Sequence, residues 1–450
     1  MAGLGMGIGL NRFLTEEPPH EPIIVEPTAW YGIEIDESNS SPDVTRIASE
    51  MILHSVLPVH DKLKACLLND NGTVNYYLQS DDWSKQEDGT PSILDGTDGQ
   101  VMIEWPTFYF KVEQDTPEPG KHQLKISEHA LTGFTWVRQH FVSAFESSID
   151  RVNLKLASVV NTSENYRGGN NTSAWDAESN TLLGKPVSDI NRTNFRTYAR
   201  NRGAGWNINS HTDHQWLYWF FVIEYATLNS QKAVNSELDG DGFKQGGLGN
   251  GVTTAINAKW TAFNANNPFI DNGSSNSLAN YSGEVDVTVT DFGGSGIDTS
   301  FKVPRYRGHE NPYGHIWNIL DGVSVLVKSV ASGGTSDLWI SDSPGDWNDL
   351  NQGGSSSYGE VARVNGYTKK VLVNEGGSAG FAPKLTTGGS AISYYCDYFY
   401  TSVPPSGESL KMVMVGGRAT GLQEAGLGCF YCFDATSFNH QTIGTRLSYR

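Results

Sequence analysis

The chain has 450 residues and a formal net charge of −18, from 32 basic and 50 acidic side chains. A surface of that sign repels phosphate backbones and anionic lipids, so no nucleic-acid partner is expected. No run reaches the roughly 18 consecutive apolar residues of a membrane span, and four cysteines are too few for a disulfide framework in a chain this long.

The opening MAGLGMGIGL is apolar but has neither the basic start nor the cleavage pattern of a signal peptide. With Glu16, Glu17 and the prolines at 18, 19, 22 and 27, residues 1–28 read as an extended arm that docks on a neighbouring subunit. Residues 29–128 read as a β-rich domain. Residues 29–36 alternate apolar and polar positions, as does part of 100–105, and turn signals stand at 69–72 and 95–99. An amphipathic stretch at 57–68 is expected to be helical.

The next domain, 129–450, opens with strand-like runs at 141–146 and 151–157. Helices are expected over 192–202 and 214–228; the second, HQWLYWFFVIEYATL, is apolar almost all round and belongs in a core. His211, His214 and Glu224 are metal-ligand types, but the H-E-x-x-H arrangement is absent and they read as capping and core polar groups. Residues 235–304, rich in Gly, Asn, Ser and Asp, read as irregular. Glu237, Asp239 and Asp241 have the spacing of a calcium loop, yet Asn250 stands where the closing glutamate belongs. No metal or cofactor is expected, calcium being the one alternative left open.

The final segment, 416–450, reads GGRATGLQEAGLGCFYCFDATSFNHQTIGTRLSYR. Its window 429–433 has neither strand alternation nor helical spacing and is bounded by small residues, so it reads as a loop. Its aromatics are a local hydrophobic plug or a contact surface. Cys429 and Cys432 have C-x-x-C spacing without a second pair or clustered histidines to complete a zinc site.

Three segments in order resemble formylglycine-generating-enzyme-like domains: FVSAFESS at 141–148, NPYGHIWN at 311–318 followed by Asp321 and Gly322, and Gly416-Gly417-Arg418 with the closing IGTRL at 443–447. The resemblance spans about 130–450, with unmatched insertions around 235–301 and 329–390. It implies an α+β chain: a β-rich N-terminal domain, then a C-type lectin-like domain with long loop insertions and a variable segment at 416–450. The family's enzymes use a C-terminal cysteine pair, with oxygen and copper, to oxidise a substrate cysteine. Their pair is spaced wider and flanked by arginines, whereas Cys429 and Cys432 stand among Phe430, Tyr431 and Phe433, so no catalytic residue is assigned.

The family's other branch displays a final segment varied by diversity-generating retroelements, in phage tail and cell-surface proteins. Every residue from 427 to 440 is reachable by the adenine-randomised codons such systems use. The whole chain also looks like large structural proteins of tailed phages. The resemblance therefore implies a virion tail protein, extracellular when it acts, that binds a bacterial surface receptor, protein or glycan, without catalysis. Expected contacts are Leu422, Gln423, Leu427, Phe430, Tyr431, Phe433, Asp434, Phe438, Asn439 and His440, with Trp317, Arg418 and Arg446 as scaffold. A homo-oligomer, such as a trimer, is expected, with the arm contacting other virion proteins. Two alternatives stand beside this: a structural virion protein whose C-terminal aromatics form a subunit interface, and a formylglycine-generating-type oxidase.

Overall fold

The computed structural model describes residues 29–170, 182–294, 296–350, 355–373 and 380–450; the arm expected at 1–28 lies outside them. Across the described residues the chain is β-rich with few helices, arranged in several sheets. None of those helices is long and apolar enough to cross a membrane.

The alternation at the start of the chain forms the strand Tyr31–Asp36, which buries Tyr31, Ile33 and Ile35. It pairs antiparallel with Thr45–Ala48 and Lys121–Ser127, and Phe108–Glu113 and Thr135–Val137 complete a five-stranded sheet. A second sheet runs in the order Trp206–Ile208, Leu447–Tyr449, His140–Ser143, Gln100–Trp105, Lys64–Leu68, Val74–Tyr77. The boundary expected at 128–129 therefore does not separate two sheets: Ile103 pairs with Val142, and Ser448 with Val142 from the other side. The helix expected over 57–68 is corrected as well. Only His60–Lys62 forms a single 3-10 turn there, and Lys64–Leu68 is a buried inner strand, because a short apolar run takes whichever form its neighbours pair with.

The helix His211–Tyr225 is the centre of the largest core. Ser210 and Asp213 form a reciprocal capping box at its start, and Ala226 ends it in the left-handed region. Trp216 packs edge-on against Phe108 and Phe110 of the five-stranded sheet, while His214 bonds through Nε2 to the carbonyl of Leu427 at 2.7 Å on the other side. Burial on all faces is what the apolar sequence requires. Glu224, inside this core, accepts from Arg307 at 2.7 and 3.0 Å and from the Tyr306 hydroxyl at 2.9 Å, and also pairs with Lys244. Although burial opposes its charge, the Arg307 and Lys244 cations hold its carboxyl below the usual range.

Residues 235–304, read as irregular, are corrected too. They contain the helix Asn257–Asn264 and the strand Gly283–Val289, which pairs with Thr299–Tyr306, over a small core built on Trp260, Phe269, Phe292 and Phe301. Within this region the Asp239 carboxylate closes a turn, accepting from the backbone N–H of Asp241 and Phe243 at 3.0 and 2.8 Å.

Candidate functional site

The largest sheet runs in the order Ser356–Glu360, Ser336–Ile340, Trp317–Lys328, Glu408–Gly416, Gly426–Cys432, Tyr398–Thr401, Gly366–Tyr367, with Ile443–Gly444 added alongside Trp317–Lys328. The window 429–433, expected as a loop, lies mostly in the inner strand Gly426–Cys432. Leu427, Phe430 and Cys432 enter the core around the central helix, and Cys429 enters the core on the opposite face. Burial on both faces removes the alternation that would have identified a strand, and a register shift beside Gly416 disturbs the period further.

Two expected contact residues are thereby corrected. Leu427 and Phe430 are 0% exposed and serve as core, because both pack into the apolar cluster around the central helix. The same geometry bears on the cysteines. Side chains three apart on a strand point to opposite faces, so Cys429 and Cys432 are separated by the sheet. Burial pushes both thiols up, Cys432 to about 12. Neither is expected to react with an alkylating reagent until the chain unfolds; rapid labelling of the native protein, followed by mass spectrometry, would contradict this placement.

The remaining aromatics converge on an open cleft of about 310 Å³. Register sets its floor: Met414, Tyr431 and Tyr400 stand directly opposite one another on three neighbouring strands. Trp317 joins them from the next strand, its ring 5.0 Å from Tyr431 and 5.7 Å from Tyr400. Phe433 and Phe438, 41% and 36% exposed, form the walls with Asp434 and His440. Phe438 stacks on His440 at 6.1 Å. The loop carrying these walls is pinned at both ends, by Lys411 Nζ donating to the Phe433 carbonyl at 2.7 Å and by Asn439 Nδ2 donating to Asp189 Oδ1 at 2.8 Å.

Two charged groups face this aromatic surface. Tyr431 donates its hydroxyl to Asp434 Oδ2 at 2.5 Å, and burial together with that carboxylate pushes the phenol up. Arg418 also lines the cleft, and its guanidinium makes no hydrogen bond or ion pair with a described residue. Burial, and then the Arg418 charge, lower His440, so it is neutral at pH 7. Its Nδ1 accepts from the Thr442 N–H at 3.3 Å, which leaves Nε2 to carry the ring hydrogen as a donor.

Of the expected contacts, then, Tyr431, Phe433, Asp434, Phe438 and His440 come together. Asn439 is occupied with Asp189, and Leu422 and Gln423 are exposed on the turn Leu422–Glu424, outside the cleft lining. Sequence reasoning missed Tyr400 and Met414, and placed Trp317 and Arg418 in the scaffold. The alternation Tyr398-Phe399-Tyr400 was the available signal for Tyr400. Arg446 does clamp strands: its buried guanidinium donates to the carbonyls of Ser143, Ala144, Glu310 and Asn311.

Glycine is required where the segment turns in. Gly417 has φ +81°, and a Cβ there would lie 2.6 Å from that of Ala425; at Gly426 it would meet Asp397 Oδ1 at 1.8 Å. Asp397 itself is buried, accepts from the Gly428 N–H at 2.7 Å, and is pushed well above the ordinary carboxyl value of 3.8 by burial. Any stability this carboxyl contributes is fully present below pH 3.8 and lost as pH rises through its raised value. Asp397→Asn is therefore expected to gain on the order of 1 kcal/mol over the parent chain at pH 7 and nothing at pH 3.5, as read by urea unfolding at both pH values.

No family model matches the chain, and no curated protein matches it.

Proposed function

We propose that the chain is a non-enzymatic adhesin of a virion tail, which recognises a receptor on the bacterial surface through the cleft bounded by Trp317, Tyr431, Phe433 and Phe438. The observation that carries this reading is the meeting of five expected contact residues, Tyr431, Phe433, Asp434, Phe438 and His440, with Trp317, Tyr400 and Arg418, whose guanidinium has no partner among the described residues, on one open surface. Aromatic planes stack equally on a sugar face or a protein side chain, and burying them releases several kcal/mol with little side-chain entropy lost. Arg418 and the Nε2 donor of His440 supply direction toward a carboxylate or hydroxyl.

In this reading the lectin-like architecture holds the segment, and retroelement-driven change acts on its solvent-facing residues while Leu427 and Phe430 stay as core. The arm at 1–28 contacts other virion proteins, and the chain assembles as a homo-oligomer. The separation of the two cysteines by the sheet speaks against the oxidase alternative.

The test is binding of the purified full chain to a panel of bacterial cells, with the double variant Phe433→Ser, Phe438→Ser alongside. Cell binding should fall by roughly tenfold or more, with thermal unfolding unchanged. Unchanged cell binding accompanied by a smaller assembly in solution would instead support the subunit-interface reading, which the exposed Leu422, Phe433 and Phe438 also favour.

A further inference from the structure

One cation of the C-terminal cleft has no partner among the described residues. Arg192, Arg196, Arg202, Arg307 and Arg450 each pair with a carboxylate, in keeping with 50 acidic side chains against 32 basic ones. Arg418 does not, although its backbone is fixed: its carbonyl accepts from the Gly421 N–H at 2.7 Å, and Ala419 beside it donates to the His315 carbonyl at 3.0 Å. Its guanidinium lines the cleft with Asp434, and the two do not pair. Asp434 in turn uses only Oδ2, on the Tyr431 hydroxyl, and the Nε2 hydrogen of His440 bonds to no described residue. Arg418, Asp434 and His440 are all partly exposed, as are Tyr400 and Tyr431, while Phe433 and Phe438 stand further out. A cation, an acceptor and a donor therefore stand on accessible residues beside accessible aromatic planes.

A guanidinium forks onto a carboxylate or a phosphate. Asp434 in the same cleft and the net charge of −18 oppose a dianion more than a monoanion, which favours the carboxylate. The neighbouring groups indicate what carries it. Hydroxyls donate to a carboxylate oxygen and accept from an imidazole N–H, and the C–H face of a sugar ring lies flat on an aromatic plane. A peptide main chain has no strand to pair with on the cleft floor. Gly426–Cys432 lies between Glu408–Gly416 and Tyr398–Thr401, and these are flanked in turn by Trp317–Lys328 and Gly366–Tyr367. The volume of about 310 Å³ stands at the lower end of the roughly 300–1,000 Å³ of small-ligand sites, which suits a short saccharide.

We propose, resting on the adhesin reading of this cleft, that the receptor group it recognises is a carboxylate-bearing sugar whose carboxylate is held by Arg418. The test is calorimetric titration of the full chain with digalacturonate, cellobiouronate and sialyllactose, each beside its neutral counterpart, galactobiose, cellobiose or lactose, and with the acidic peptide acetyl-Asp-Glu. The parent chain, Arg418→Gln and Arg418→Lys are compared. At least one acidic saccharide should bind saturably, and its neutral counterpart roughly tenfold more weakly or less well still. Arg418→Gln should weaken the acidic saccharide by roughly tenfold or more while melting as the parent does, and Arg418→Lys should recover part of the loss. The proposal is overturned if no acidic saccharide binds saturably, if the neutral counterpart binds as well, if Arg418→Gln binds the acidic saccharide as the parent does, or if the peptide alone binds. The panel of bacterial cells separates this ligand from the adhesin reading. Cell binding that falls in the double variant Phe433→Ser, Phe438→Ser but not in Arg418→Gln sinks the carboxylate and leaves the adhesin; acidic saccharides bound by a chain that binds no cells leave the carboxylate site and sink the adhesin.

Discussion

Phe430→Ala is expected to cost about 3–5 kcal/mol of stability, enough to leave a large share of the chain unfolded at growth temperature. Phe430 is fully buried, pairs with Val415 and Phe399 on its two neighbouring strands, and packs against Phe381 and Phe399 in the core around the central helix. Truncation opens a cavity in a sheet that cannot collapse onto it from either side, so both the transfer and the cavity contributions are lost. Phe433→Ala, three residues on, should change stability by no more than about 0.5–1 kcal/mol, because that ring is 41% exposed. Urea unfolding of the two variants side by side decides the matter. Equal losses would mean that the segment is not divided into core and surface in the way described.

Arg446→Met is expected to be at least as damaging, by about 3–5 kcal/mol. The guanidinium reaches carbonyls on two segments far apart in the chain, 143–144 and 310–311, from a residue that is only 2% exposed. A methionine fills much of the volume but strands those carbonyls in a low-dielectric interior, where each lost partner carries its full desolvation penalty. Arg446→Lys should rescue little, since a single ammonium cannot fork to both segments. A lysine variant as stable as the parent chain would show that charge, and not the fork, is what the site requires.

How much of this was legible depended on how many faces each segment buries. The strand Tyr31–Asp36 has a polar side, so its alternation survived in the sequence, and the central helix announced itself by being apolar all round. Gly426–Cys432 is buried on both faces, and Lys64–Leu68 on an inner strand of its own sheet, so neither kept a period to read. The hairpin strand Gly283–Val289 was a missed signal and not an absent one: Glu284-Val-Asp-Val-Thr-Val289 alternates cleanly inside a glycine- and asparagine-rich surround.

The site divides along the same line. Phe433, Asp434, Phe438 and His440 were readable as polar and aromatic residues crowded into one short stretch. Trp317, Tyr400 and Met414 join them only through strand order and register, which depend on pairing across more than a hundred residues in the case of Trp317 and Tyr431. No local pattern carries that information.

The most direct test of the division between core and contact surface is sequencing of the 3′ end of the gene across many particles or lysogens of one population. Substitutions should gather at Leu422, Gln423, Phe433, Asp434, Phe438 and Asn439, with Leu427, Phe430, Gly417 and Gly426 fixed by burial and backbone geometry. A uniform sequence, or changes that reach Leu427 and Phe430 as often as their exposed neighbours, would contradict the account.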